Sequence, residues 1–362
     1  MNGPGMKETV ARMRELMEKI DRPVRLMEVC GTHTVAIFRH GIRDLLPEGV
    51  LLLSGPGCPV CVTAVRDVDT AIAIAKSEGV VLTTFGDMMR VPGSGKSLFN
   101  AKAEGGDVRI VYSPLDALTF AEREKGKKVV FFATGFETTS PSVAGTIMEA
   151  ERRGVENFFI YSVHKTVPPA LKALLESGEV RVDGFILPGH VSTVIGTAPY
   201  GFLASQHGKP SVVTGFDAQD ILSGIRMILE QLAAGAARIE IQYTRVVKPE
   251  GNPKAIAVLG ECFEPEDAEW RGIGTIPLSG LKVREAFGHR DAAAVLRPEV
   301  RTENVRTACA CGDVLKGVKI PTDCGLFGKA CTPDRPVGPC MVSSEGSCAA
   351  YYKYKAIEGM KL

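Results

Sequence analysis

The sequence lacks a net charge, a long hydrophobic run and an export signal. Its 362 residues carry 43 Lys and Arg against 42 Asp and Glu, a formal charge of +1. A nearly neutral chain has no electrostatic attraction to nucleic acid or to an anionic membrane, so we expect neither partner. No apolar run approaches the roughly 18 residues that span a bilayer. The first 23 residues carry charges throughout, which is atypical of a secretory signal. We therefore predict a cytoplasmic protein.

The chain does contain ten cysteines. Cytoplasmic thiols are normally reduced, so clustered cysteines favour metal binding or redox chemistry over disulfide staples. Six lie near the C-terminus and three in two short N-terminal motifs. The remaining one, Cys262, has no partner in the sequence, and we interpret it as a buried thiol.

Short apolar runs alternate with helical patterns from about residue 26 to 235, which is typical of βαβ units. Most of the runs are continuously apolar, as in parallel sheets with helices on both faces. The predicted strands are Val24–Val29, Val50–Ser54, Val80–Phe85, Val108–Tyr112, Val129–Ala133, Asn157–Ser162, Gly184–Leu187 and Ser211–Thr214. The predicted fold class is α/β.

The segments 51–94 and 129–170 share one order of strand, Gly-rich loop, helix and strand. This similarity predicts two parallel-sheet α/β domains, at 24–125 and 126–235, with ligands beyond the carboxyl ends of the strands. An amphipathic helix within 1–23 is expected to pack on the C-terminal domain. That domain, 236–362, is predicted to contain strands at Ile239–Val247 and Ile256–Leu259 and to depend on metal ligation for stability.

The strongest chemical signal is a set of four C-terminal cysteines separated by Gly and Pro. Four thiolates on such loops favour a [4Fe–4S] cluster, and their spacings are wider than those of zinc fingers. Zinc binding and chance clustering of buried thiols remain alternatives. The predicted ligands are Cys324, Cys331, Cys340 and Cys348.

The Cys309-Ala310-Cys311 motif lies just upstream of this set. Its two cysteines are either a second redox pair, spare ligands or structural thiols. A disulfide between them would be strained and easily reduced.

Two N-terminal motifs each place cysteine where a predicted strand ends. In GPGCPVC, Cys58 and Cys61 form a C-x-x-C at a helix N-terminus, where free N–H groups favour a thiolate. The alternative is that both are buried structural thiols in a turn. In EVCGTHT, Cys30 and His33 are either a nucleophile and base or two metal ligands, and His33 could equally be structural.

Polar residues follow other strands and could face the same cleft, or could serve as helix caps and turn formers. The Gly-rich loops fit neither the P-loop nor the dinucleotide pattern, so nucleotide binding is weakly supported. The candidate cleft residues are Asp87, Arg90, Glu137, Thr138, His164 and His190.

Together, EVCGTHT, GPGCPVCVT, FGDMMRVPGS, TGFETT, LPGHVSTVIG and the cysteine-rich tail CACGDVLKG…PTDCGLFGKAC resemble the HypD family of hydrogenase maturation proteins over nearly the whole chain. The resemblance implies a cytoplasmic scaffold that, with a HypC-like small chaperone, builds the Fe(CN)₂CO unit of [NiFe]-hydrogenase for the large subunit. A HypE-like partner would donate cyanide.

The resemblance also implies a role for each group of cysteines. Cys324, Cys331, Cys340 and Cys348 would hold a [4Fe–4S] cluster in surroundings similar to those in ferredoxin–thioredoxin reductase. Cys58 and Cys61 would carry out thiol–disulfide exchange, and Cys30 would bind the iron under assembly. His33 would be a ligand of that iron or a neighbour of its ligands. An iron–sulfur thiol–disulfide reductase is the competing class, and a nucleotide-dependent transferase is a third.

Overall fold

A computed structural model describes residues 4–300 and 308–355. The parts of the predicted N-terminal segment and C-terminal domain at 1–3, 301–307 and 356–362 lie outside the described residues. The strands are β1 Val24–Glu28, β2 Val50–Ser54, β3 Val80–Thr84, β4 Val108–Ile110, β5 Lys128–Ala133, β6 Phe158–Ser162, β7 Gly184–Pro188, β8 Ser211–Thr214, β9 Ile239–Ile241, β10 Phe263–Trp270 and β11 Gly274–Val283.

The α-helices alternate with these strands. They are α1 Pro4–Ile20, α2 Gly31–Arg39, α3 Ile42–Leu45, α4 Pro59–Val62, α5 Val65–Ala75, α6 Leu98–Ala103, α7 Pro114–Arg123, α8 Ser140–Arg153, α9 Val167–Glu176, α10 Gly189–Ile195, α11 Gly201–Ser205, α12 Ala218–Ala233, α13 Pro253–Cys262, α14 Ala292–Leu296, α15 Cys311–Leu315, α16 Pro339–Val342 and α17 Ser347–Lys355. Among the described residues, no helix has both the length and the apolar character needed to cross a membrane.

Two parallel sheets confirm the predicted α/β class. The first has the order β2-β1-β7-β8-β9 and the second β4-β3-β5-β6, and β10 and β11 form an antiparallel pair. All eight strands predicted between residues 24 and 214 occur, within two residues at each end.

Both faces of the second sheet are buried, which explains its continuously apolar strands. Along β5, Val130 and Phe132 pack into one apolar cluster, and Val129 and Phe131 pack into the cluster on the opposite face. Burying each such side chain contributes about 1.5–3 kcal/mol. The sheet is therefore a central layer between two cores.

The predicted domain limits do not coincide with the sheets. The chain leaves the first sheet after β2, builds the whole second sheet from β3 to β6, and returns to the first sheet at β7. The expected boundary at residue 125 falls between β4 and β5, two strands of one sheet. Local strand–helix patterns repeat in any βαβ series and carry no information about which strands pair.

The N-terminal helix forms as predicted but packs elsewhere. Met13 and Leu16 of α1 are buried against Ile225 and Leu229 of α12, and the Gln219 side chain donates to Thr9 Oγ1 at 3.2 Å. The expected packing on the C-terminal domain is therefore wrong. The apolar face of α12 on the first sheet offers α1 the matching surface.

The region after residue 235 differs most from its predicted secondary structure. Strand β9 is shorter than predicted, and the predicted strand Ile256–Leu259 lies within α13. Asn252 caps that helix, since its side chain accepts from the N–H groups of Lys254 and Ala255, and Pro253 occupies the first turn. These start signals outweigh the β propensity of a short apolar run.

The β10–β11 hairpin connects the other parts of the molecule. Trp270 bridges to Thr63 next to α4, and Gly280 bridges to Lys165 after β6. Trp270 is fully buried and stacks on Phe136 at 5.9 Å. The hairpin therefore locks the loops of both sheets to each other.

Candidate functional site

The Cys30 and Cys58 loops leave neighbouring strands at the same edge of the first sheet. Strands β1 and β2 pair in register, with Glu28 opposite Ser54 at their ends. The Gly31 N–H donates to the Gly57 carbonyl at 2.9 Å. A Cβ on Gly57 would lie 2.2 Å from the Cys30 nitrogen, so only glycine fits there.

Cys30 is a buried residue at the N-terminus of α2. Burial raises the pKa of its thiol to about 12, although the N–H groups of His33 and Thr32 lower it. The thiol is therefore protonated near neutral pH. A bound cation would favour the thiolate and displace that proton.

A buried carboxyl group holds the Cys30 loop. Glu28 accepts from the Cys30 N–H at 3.1 Å and from the Thr34 hydroxyl at 2.5 Å. Burial raises the pKa of Glu28 to about 7, against the hydrogen bonds that lower it. Glu28 thus holds the Cys30 backbone and the Thr34 side chain of the following helix.

His33 lies fully buried in the first turn of α2. Its Nε2 lies 2.9 Å from the Gly215 carbonyl and 2.9 Å from Thr214 Oγ1, at the end of β8. Burial lowers the pKa of His33 to about 4, so the ring is neutral. Because Nε2 is engaged, only Nδ1, which has no partner in the described chain, is left for a ligand or base role.

Cys58 and Cys61 form a disulfide at the N-terminus of α4, with Cα atoms 5.2 Å apart. Cys58 is the N-cap residue, and its Sγ accepts from the Cys61 N–H at 3.2 Å. Both residues are buried. The C-x-x-C motif therefore lies at the predicted helix start, in its oxidised form.

The C-terminal cysteines surround one small cavity. Its wall includes all six thiols together with apolar groups such as Phe327 and Met341. The thiols are those of Cys309, Cys311, Cys324, Cys331, Cys340 and Cys348. The first two are half-buried and the other four buried, and burial is the main cause that raises the pKa values of Cys340 and Cys348.

This donor set fits an iron–sulfur cluster. Within residues 4–300 and 308–355, no three His, Cys, Asp or Glu side chains are placed to hold one metal ion together. A four-iron cluster does not require that convergence, because each thiolate binds its own iron. Soft thiols around a dry cavity suit such a cluster, and six candidates are present where four are needed.

The cavity adjoins the disulfide. Helix α16, which contains Cys340, packs on α4, which contains Cys61. Cys58, Cys61, Cys331, Cys340 and Cys348 belong to one buried cluster. Spacing along the chain predicts each cysteine group but not their contact.

The cysteine-rich segment also touches the Cys30 loop. Glu345 accepts from the Thr32 hydroxyl at 2.9 Å, and a Cβ on Gly31 would lie 2.5 Å from Glu345 Cβ. Thr32 is two residues from Cys30, and Glu345 lies between Cys340 and Cys348. One segment therefore borders both sites.

Asp87 and Arg90, two of the predicted cleft residues, hold the cysteine-rich segment. The Ser343 hydroxyl donates to Asp87 at 3.1 Å. The Arg90 guanidinium donates to the carbonyls of Pro333 at 2.9 Å and Asp334 at 3.0 Å. These contacts indicate a docking role for both side chains.

The other four predicted residues are dispersed. Glu137 is buried, accepts from the Val167 N–H at 2.9 Å, and has its pKa raised to about 7 by burial. His164 lies 3.0 Å from the Ser162 hydroxyl, and burial lowers its pKa to about 3. Thr138 is exposed. His190 is exposed and stacks on Phe216 at 3.9 Å, and Phe216 also stacks on His33.

Two site residues escaped prediction from the sequence. Glu28 is the first residue of EVCGTHT, so its position beside Cys30 is a signal that could have identified it. Glu345 carries no such signal, because only tertiary packing brings it to the Cys30 loop.

These observations define a class: a two-sheet α/β protein with a buried thiol, a disulfide and a cysteine-lined cavity in mutual contact. The HypD family model, described as "Hydrogenase formation hypA family", matches residues 5–355. The chain belongs to the HypD family.

Curated relatives agree with this assignment. The hydrogenase maturation factor HypD of Azotobacter vinelandii is 50% identical over 340 residues, which cover 92% of this chain and 90% of the relative. The HypD of Rhodobacter capsulatus is 47% identical, and the match covers 97% of this chain and 94% of the relative. The HypD of Escherichia coli K12 is 46% identical, and the match covers 96% of this chain and 93% of the relative. This chain is thus similar to hydrogenase maturation factors along almost its whole length.

Proposed function

We propose that this chain is a cytoplasmic scaffold on which the iron of [NiFe]-hydrogenase acquires its cyanide and carbonyl ligands. A HypC-like small chaperone would share the iron, a HypE-like partner would donate cyanide, and the hydrogenase large subunit would receive the product. The observation that carries the proposal is the packing of three cysteine-bearing segments on one another: the Cys30 loop, the Cys58–Cys61 loop and the segment around the six-cysteine cavity.

Cys30 is the residue we assign to the cargo iron. Its thiol loses a proton when iron binds, and the buried site excludes water that would compete for the metal. Glu28 fixes the backbone of the loop through the Cys30 N–H, and His33 ties the first turn of α2 to Gly215. These contacts hold the sulfur in place before iron arrives.

Cys58 and Cys61 are the residues we assign to electron exchange. Reduction of their disulfide takes two electrons and two protons and yields two thiols. A [4Fe–4S] cluster held by Cys324, Cys331, Cys340 and Cys348 would supply electrons singly from the adjoining cavity. Cys309 and Cys311 line the same cavity and are the candidates for a further redox pair.

The test is an infrared spectrum of the anaerobically purified complex with its small partner, with iron and sulfide contents measured on the same sample. We expect cyanide and carbonyl stretching bands in the wild type and their loss in Cys30→Ala. Bands that persist in Cys30→Ala would overturn the iron-ligand assignment. Individual Cys→Ser variants at all six cavity positions would identify the four cluster ligands by loss of iron and sulfide.

An iron–sulfur thiol–disulfide reductase is the second candidate function. The disulfide beside the cysteine cavity favours it, because such a reductase needs these two features and no Cys30. It would reduce a partner disulfide with Cys30→Ala unimpaired, and its complex would show no cyanide or carbonyl bands.

A further inference from the structure

Arg271 is a buried guanidinium without a carboxylate partner. Its side chain is 8% exposed, and it follows β10 next to α4, where its backbone N–H donates to the Val62 carbonyl at 2.9 Å. One terminal nitrogen donates to the Pro92 carbonyl at 2.5 Å. Its Nε has no hydrogen-bond partner, and no salt bridge reaches it, within the part of the chain that the structure describes.

Another buried arginine shows how this fold ordinarily compensates such a charge. Arg290 is 3% exposed, and its Nε lies 2.7 Å from a carboxylate oxygen of Glu151. A buried charge without an opposite charge is strongly unfavourable. Arg271 therefore requires negative charge from another source.

The acidic residues around Arg271 have other partners. Asp67 is paired with Lys165 at 3.2 Å, Asp69 accepts from the Ser94 N–H at 2.8 Å, and Asp313 is paired with Lys319 at 2.8 Å. Each of these carboxylates therefore already forms an ion pair or accepts a hydrogen bond from another residue.

Two sulfurs act on Arg271 more strongly than the nearby carboxylates do. Burial lowers the pKa of Arg271, and the groups that raise it are Cys311 and Cys340, followed by Asp69 and Asp67. Arg271 lines an open groove of about 580 Å³ together with Cys309 and Cys311, both of which also line the six-cysteine cavity. A Cβ on Gly272 would lie 2.6 Å from Gly312 Cα, and this close contact holds the Arg271 turn against the C-x-C motif.

We propose that Arg271 is the counter-cation of the six-cysteine cavity, a positioning residue whose fixed charge stabilises negative charge on the sulfurs. The proposal rests on the proposed function in one respect, because it places an electron-accepting centre in the cavity. Each electron added makes that centre more negative, so a nearby cation favours the reduced form. Arg271 then raises the midpoint potential and helps electrons to enter beside Cys61.

The first experiment compares two substitutions in the anaerobically purified full-length protein. Arg271→Gln keeps a polar side chain and loses the charge, whereas Arg271→Lys keeps the charge. Midpoint potentials would be measured by titration with dithionite. Arg12→Gln, on the exposed surface of α1, is the control for the same change in net charge.

We expect the Gln variant to show at least a tenfold lower ratio of reduced to oxidised centre at a fixed potential, which is about 59 mV for one electron. The Lys and Arg12 variants should stay within that limit. Equal potentials for wild type and Gln variant, or equal shifts in the Gln and Lys variants, would overturn the proposal. If the Gln variant does not fold, the Lys variant decides. A midpoint potential shifted by more than about 59 mV in Arg271→Lys would overturn the proposal, and a smaller shift would support it.

A second measurement is independent of any cluster. Iodoacetate is an anion and iodoacetamide is neutral, so the ratio of their alkylation rates at Cys309 and Cys311 reports the local charge. Mass spectrometry of the peptides would assign the sites. We expect the iodoacetate-to-iodoacetamide ratio to fall about fivefold in Arg271→Gln and to be retained in Arg271→Lys. An unchanged ratio would refute the counter-cation role, whereas a wild type without iron and sulfide would refute only the cluster.

Discussion

Gly57 and Cys30 meet backbone to backbone: the space for a Gly57 side chain is occupied by the Cys30 nitrogen, 2.2 Å from where a Cβ would stand. The Gly57 carbonyl accepts from the next N–H along, that of Gly31. The disulfide loop and the buried thiol are thus held by one glycine contact.

Gly57→Ala is expected to displace the Cys30 loop. A Cβ at this position meets backbone atoms that cannot rotate away, so we expect the free energy of unfolding to fall by about 1–3 kcal/mol. Denaturant unfolding measures the change. Gly145→Ala is the control, because its Cβ meets no atom within 4 Å in α8, and alanine there should stabilise by about 1 kcal/mol. Equal stability of Gly57→Ala and wild type would contradict the close contact.

Asp87→Ala and Arg90→Ala are expected to loosen the cysteine-rich segment. Each removes hydrogen bonds worth roughly 0.5–1.5 kcal/mol at an exposed position, which is too little to unfold the protein. Hydrogen exchange should become faster at residues 333–345 and stay unchanged in β5. Exchange that rises equally in both regions would point to global destabilisation instead.

Glu137→Gln tests the pH dependence of stability. Burial raises the pKa of Glu137 from 4.5 to about 7, so the folded protein holds this proton more tightly than the unfolded chain. The group's contribution is full below about pH 4.5 and is lost as the pH rises through 7. We expect the Gln variant to gain up to about 3 kcal/mol relative to wild type over that interval.

The measurement for Glu137→Gln is the unfolding free energy of both proteins between pH 4.5 and 8. Gln can still accept from the Val167 N–H, so the difference isolates the charge. A difference that does not vary with pH would show that Glu137 does not titrate in this range.

Cys61→Ser is expected to abolish hydrogenase maturation while the fold is retained. The substitution removes the disulfide partner of Cys58 and leaves the α4 contacts with α16 in place. A maturation assay and circular dichroism measure the two effects. Cys262→Ala is the matched control, because this buried thiol donates to the Ala144 carbonyl, packs in an apolar core of the second sheet and does not line the cavity. Full activity of Cys61→Ser would exclude thiol exchange at this pair.

Sequence patterns alone predict the parallel α/β class, the strand positions, the HypD resemblance and the cysteine motifs. These follow from local features: apolar runs, Gly and Pro at turns, and fixed spacings that hold whatever the chain does elsewhere. The prediction fails at α13, because it gives a short apolar run more weight than the capping signals at Asn252 and Pro253.

Long-range packing sets which strands share a sheet, where α1 packs, and the contact between the Cys58–Cys61 disulfide and the cavity lined by Cys340. Strand β5 pairs with β3 rather than starting a new sheet, and Arg271 reaches the cysteines from a hairpin with no cysteine of its own. Such contacts join residues far apart in the chain. Which of these contacts form depends on complementary shape and charge over the whole molecule, and no local pattern of residues encodes that complementarity.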